Sequence, residues 1–172
     1  VSNGLKKEIA RFPSVEEILF FTAMIYGNRI ACILLPGDWK YEMIEIWGAR
    51  TLWGGDEEVI VQDREGMTKR GYSPITGAYY SARLAVCEYL KSIRRCARII
   101  LVRNVTSEYW APLGTWVIRE ATRKAMESPP VRCESLDEAV RHAVMVTGSD
   151  RWVPHSTLIP ELKTQRTLDS FL

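Results

Sequence analysis

The sequence is poor in the groups that build metal and acid–base sites. It has two histidines, His142 and His155, and four cysteines, Cys32, Cys87, Cys96 and Cys133. No Cys-x-x-Cys pair occurs. Structural zinc sites draw ligands from such short-range pairs, so neither a metal site nor any other cofactor is expected. The four thiols read as reduced and mostly buried. No apolar run approaches the roughly 18–20 residues of a membrane helix, and no signal-peptide core follows Val1–Lys7. Charge of one sign is also lacking: 23 Lys+Arg face 21 Asp+Glu, a net +2, too little to argue for nucleic acid or membrane alone. There is no internal repeat, Ser-His-Asp arrangement, nucleotide-binding glycine fingerprint or metalloprotease motif. These absences exclude a membrane protein, a disordered chain and a disulfide-dense miniprotein.

What is present suits one domain: 172 residues, 47% hydrophobic, with tryptophan at 39, 47, 53, 110, 116 and 152. Ser14-Val15-Glu16-Glu17 reads as a capping box that starts a short helix. Phe20–Tyr26 and Arg29–Leu35 read as buried strands joined by a Gly27-Asn28 turn, a hairpin, although the first segment could continue as helix. Asp38 can cap a helix in which Tyr41, Ile44 and Trp47 share a face, with a strand as the competing reading. Glu57–Gln62 is a strand candidate, and Asp63–Pro74 a loop. The longest helix is expected over Gly77–Arg95, with Tyr79, Ala82, Val86, Leu90 and Ile93 as its apolar stripe, followed by the strand Ala97–Val102. A helix over Trp116–Ser128 buries Val117, Ala121 and Ala125. Ser135 caps another that ends at Gly148. The class is α+β: a small mixed sheet with a β-hairpin, packed against several helices, and a flexible C-terminal tail. The domain reading is a compact α/β body over 1–152, a linker over 153–164 and a docking segment over 165–172.

Three groups of residues invite functional readings. Arg83 lies on the apolar side of the long helix, so it must be paired, reach the surface or face a cavity. A ligand or anion pocket would gather Glu42, Glu45, Gly77, Tyr79, Arg83, Trp116 and Arg119, using the free amides at the helix start. The alternative is a buried salt bridge from Arg83 to Glu42 or Glu45. Glu42 and Glu45 would share a helix face and could hold Mg²⁺ or share a proton, or form only a solvated face. Lys91, Arg94, Arg95 and Arg98 are candidate DNA contacts, although cations also suit a helix C-terminus.

The sharpest signal is Gln165-Arg166-Thr167-Leu168-Asp169-Ser170-Phe171-Leu172. It matches the box by which proteins dock on the sliding clamp PCNA. A single 3₁₀ turn repeats every three residues, so Leu168 and Phe171 fall on one side with Leu172 adjacent, and the Gln165 amide bonds beside them. The pattern arises by chance on the order of 10⁻⁴ per window. The competing reading folds this segment back onto the domain.

Tyr26-Gly27-Asn28-Arg29 with Leu35-Pro36 and Trp39 to Trp47, Gly77-Ala78-Tyr79-Tyr80-Ser81-Ala82-Arg83-Leu84-Ala85-Val86, Pro112-Leu113-Gly114-Thr115-Trp116-Val117-Ile118-Arg119-Glu120 and the terminal box together resemble the archaeal Nre family of DNA repair proteins, in its C-terminal domain. The resemblance implies an archaeal cytoplasmic, nucleoid-associated protein. It would act in DNA damage repair with PCNA as partner, contacted by Gln165, Leu168, Phe171 and Leu172, with DNA as a further partner and no membrane. It also implies that a longer N-terminal region with a cysteine motif is missing here. An enzyme acting on nucleic acid or a phosphorylated ligand, and a non-catalytic DNA-binding adaptor, are the alternatives.

Overall fold

A computed structural model describes residues 2–49, 56–108 and 114–169, with side chains over 3–49, 56–108 and 114–165. Trp53, Trp110, Pro112, Leu113, Phe171 and Leu172 therefore lie outside the described residues. After α1 (Ser2–Ile9), β1 (Ile18–Ile25) and β2 (Asn28–Leu35) form the expected hairpin. Tyr26 and Gly27 make its turn with φ of 48° and 72°, the doubly left-handed pattern that suits the twist of paired strands.

Ser14 caps no helix. Its hydroxyl accepts from the Gly37 amide at 2.7 Å, and its backbone bridges to Cys96. β3 (Lys40–Trp47) is a strand, where a helix capped by Asp38 was expected. It pairs antiparallel with β4 (Val59–Glu65) and parallel with β5 (Arg98–Val105). Helices cover both faces, so Met43, Ile44 and Ile46 are all buried and no two-residue period shows in the sequence. The threefold spacing of Tyr41, Ile44 and Trp47 mimicked a helical stripe.

The sheet has six strands in the order β4-β3-β5-β2-β1-β6, where β6 is Val131–Cys133. It is mixed, with β3 and β5 parallel. One face packs against α1, α2 (Gly77–Ile93) and α3 (Thr115–Glu127). In α2 the expected stripe is buried except Ile93, which is 38% exposed at the helix end. The other face packs against α4 (Leu136–Thr147), Trp152 and α5 (Leu158–Asp169). Ser135 caps α4 by accepting from the Glu138 amide at 3.1 Å, and Gly148 ends the helix with φ 71°.

The stretch read as a linker is thus structured and docked. Pro154 sits in a 3₁₀ turn over Val153–His155, and Pro160 lies in the first turn of α5, where its missing N–H costs nothing. Leu158, Ile159 and Leu162 are buried against the sheet. Burial on that scale stabilises by about 1.5–3 kcal/mol per side chain, enough to hold a helix of this length in place. No helix among the described residues is long and apolar enough to cross a membrane.

Candidate functional site

β4 runs on to Glu65, past the loop boundary expected at Asp63. In register Glu65 stands opposite Tyr41, on the face covered by α1 and α2. There Arg83 donates to both Glu65 oxygens at 2.8 and 2.7 Å, and to the Asn3 side-chain oxygen at 2.8 Å. Lys6 adds a second cation at 3.2 Å from Glu65. Lys6, Glu65 and Arg83 are all buried. The guanidinium also lies 5.1 Å from the Tyr80 ring centre. Tyr79 is fully buried nearby, and its phenol is pushed far up by burial first and then by the Glu65 and Asp63 carboxylates. Arg83 is therefore salt-bridged, to Glu65 rather than to Glu42 or Glu45, and its charge is already answered without a bound anion.

Glu42 and Glu45 are three apart on a strand, so they point to opposite faces. They share neither a metal nor a proton. Glu42 faces α5 and accepts from the Ser156 hydroxyl at 2.5 Å, the Thr157 amide at 2.7 Å, the Leu158 amide at 3.3 Å and Gln62 Nε2 at 2.8 Å. A carboxylate at this place satisfies amides that a helix start leaves unpaired. Glu45 faces the other layer and accepts from Arg103 at 2.6 Å and Trp47 Nε1 at 2.7 Å. Arg103 also donates to Asn28 Oδ1 at 2.8 Å.

Gly77 is a packing glycine: a Cβ there would lie 2.6 Å from Thr115 Cγ2, so the starts of α2 and α3 meet. Trp116 is half exposed at that junction, and Arg119 lies 3.6 Å from Glu120. The ion pair that ties α3 to α2 comes from Arg123, which donates to the two Glu88 oxygens, each at 2.8 Å, and to Glu120 at 2.7 Å. The Arg123 hydrogen bonds hold the Glu88 carboxyl below its ordinary range. The expected pocket residues therefore divide among separate, internally paired groups.

Three members of the basic cluster make contacts within the chain. Lys91 pairs with Glu8 at 3.0 Å, Arg94 lies over the Phe12 ring at 5.3 Å, and Arg95 donates to the Ser14 carbonyl at 3.3 Å. Arg98 packs across Gly37, whose added Cβ would meet its Nε at 2.2 Å, and that buried Nε has no hydrogen-bond partner among the described residues. Beside it opens a groove of about 980 Å³ lined by Ser14, Glu16, Leu35, Arg98, Arg132, Cys133 and Leu162, with Gln165 at its edge. Gln165 is exposed on α5. Leu168 lies in the last turn of that helix; its side chain, like Phe171 and Leu172, falls outside the described residues.

One cluster passed unnoticed in the sequence. Cys133, Glu138 and His142 bring a sulfur, an oxygen and a nitrogen within 4.8 Å of one another. Burial, then the Glu138 carboxylate, raises the Cys133 thiol above its ordinary value.

Fold and geometry define a class: a three-layer α+β domain whose buried Lys6, Glu65, Arg83, Glu45 and Arg103 are paired inside the chain. The family follows from two model matches, archaeal Nre C-terminal over residues 64–171 and archaeal Nre N-terminal over residues 1–54. The chain belongs to the archaeal Nre family. It carries sequence of both parts, where the resemblance had pointed to the C-terminal part alone. Among its relatives, DNA repair protein NreA of Archaeoglobus fulgidus is 37% identical over 88% of this chain and 39% of its own length. DNA repair protein NreB of the same organism is 33% identical over 100% and 45%, and NreA of Haloferax volcanii 35% identical over 80% and 34%. The chain thus spans less than half the length of these relatives. No solved structure matches it.

Proposed function

We propose that the chain serves DNA repair as a non-catalytic adaptor, docked to the sliding clamp PCNA through Gln165, Leu168, Phe171 and Leu172. The observation that carries this reading is the position of Gln165. It is exposed, one helical turn beyond the buried Leu162, so its amide is open to a partner. The repair role rests on the relatives, which bear the name DNA repair protein.

An adaptor is favoured over an enzyme by the fate of the charged residues. Arg83, Glu42 and Glu45 each spend their hydrogen bonds on partners inside the chain and do not converge on one pocket. The clamp, rather than the basic cluster, brings the protein to DNA, since Lys91 already pairs with Glu8 and Arg95 with the Ser14 carbonyl. Docking is weak to moderate, because a short segment loses ordering entropy on binding. A trimeric clamp holds several such segments at once and raises their local concentration. The test is co-elution with an archaeal PCNA on size exclusion. The full chain is expected to shift to the clamp's position and a chain ending at Thr164 to stay free; equal co-elution of both would overturn the reading.

A further inference from the structure

We propose that Cys133, Glu138 and His142 form a binding site for one zinc-class divalent cation, with solvent completing the coordination. The site does not depend on the clamp reading. Its donor set is a thiolate, a carboxylate and an imidazole, the ligand types zinc accepts, and three protein ligands plus water is a common open zinc arrangement.

Each donor is held by something other than the metal. Cys133 ends β6, paired opposite Ile18 of β1. Glu138 lies in the first turn of α4, where one carboxylate oxygen accepts from the Glu134 amide at 2.7 Å. Its other oxygen faces His142 Nε2 at 3.8 Å, one turn along the same helix. The imidazole is stacked on Phe20 with ring centres 5.4 Å apart. The three donors therefore stand on a strand end and one helix face, fixed by pairing, capping and stacking.

With metal–ligand bonds of about 2.0–2.3 Å, donors around a tetrahedral zinc stand roughly 3.3–3.7 Å apart. The present spacing, at most 4.8 Å, is slightly wider, and small side-chain rotations close it. Without a cation the Cys133 sulfur is a thiol that donates to the Val131 carbonyl at 3.9 Å, and it gives up that proton when a metal binds. A divalent ion binds the thiolate and the Glu138 carboxylate together as anions. The signal in sequence is Cys133, Glu138 and His142 at separations of five and four, a strand-end ligand followed by one helical face. A search for Cys-x-x-Cys passes over it.

The test is titration of the EDTA-treated full chain with Co²⁺. One equivalent is expected to produce a thiolate-to-cobalt charge-transfer band, displaced by Zn²⁺, and Zn²⁺ is expected to raise Tm. The band is lost in Cys133→Ser, and the Zn²⁺ shift in Tm is lost in His142→Ala. Glu138→Gln keeps an oxygen for the cap, so an unchanged metal-free Tm with weakened Co²⁺ binding assigns the carboxylate to the metal. No charge-transfer band in the natural chain, or an equal band in Cys133→Ser, overturns the proposal.

Discussion

At the residue scale, Glu65 decides what Arg83 does. One carboxylate answers two buried cations, Lys6 and Arg83, and removing a partner from a buried ion pair leaves charge without water or counter-charge. Glu65→Ala is expected to destabilise the fold by about 3–5 kcal/mol, read as a lowered denaturant midpoint. A loss under roughly 1 kcal/mol, the worth of an exposed pair, would show that water reaches these groups. The helical period places Arg83 on the apolar side of its helix, as observed, and leaves it a partner, the surface or a cavity. Glu65 could not be supplied, because that residue ends a strand whose polar tail, Asp63 to Glu65, reads as loop. Arg103 escaped notice for the same reason. It sits in an apolar run, and its partners Glu45 and Asn28 come from two other strands. Long-range pairing is legible only once the register is known.

At the element scale, α5 is docked by two acidic contacts as well as by apolar burial. Glu42 accepts from the residues that open the helix, and Glu161 in its first turn pairs with Lys40 and Arg64. Glu42→Leu removes the charged acceptor and is expected to cost about 1.5–3 kcal/mol, with loss of hydrogen-exchange protection concentrated in 156–162. The hydrogen bond from Lys40, and then that from Arg64, hold the Glu161 carboxyl below its ordinary value. A lowered folded-state value gives stability that is complete above the ordinary glutamate value of about 4.3 and lost as pH falls through the folded one. Exchange protection of α5 is therefore expected to fall with acidification below that range, and Lys40→Met to flatten the dependence. The hairpin, α2, β5, α3 and α4 were legible because each has a period, a cap or a turn of its own. β3 and α5 were not. The first is buried on both faces and shows no alternation. The second carries a proline that reads as a breaker, although it occupies a position that needs no N–H.

At the scale of the whole molecule, the two family regions build one sheet. β1, β2 and β3 fall in residues 1–54, while β5, from residues 64–171, lies between β3 and β2 and pairs with both. Neither region closes a core by itself, so a fragment starting at residue 64 is expected to lack a cooperative melt, whereas the full chain unfolds in one transition. A cooperative melt of the fragment, followed by circular dichroism, would contradict the shared sheet. The small net charge also gains a meaning here. Under the proposed reading, a body whose buried Arg83 and Arg103 are paired inside the chain would reach DNA through a partner rather than through its own charge. The most direct test of that account is calorimetry of the full chain against an archaeal PCNA, beside the double variant Phe171→Ala, Leu172→Ala. The account predicts saturable binding by the natural chain, no measurable heat from the variant, and the same Tm for both. Undiminished binding by the variant, or no binding by the natural chain, would contradict it.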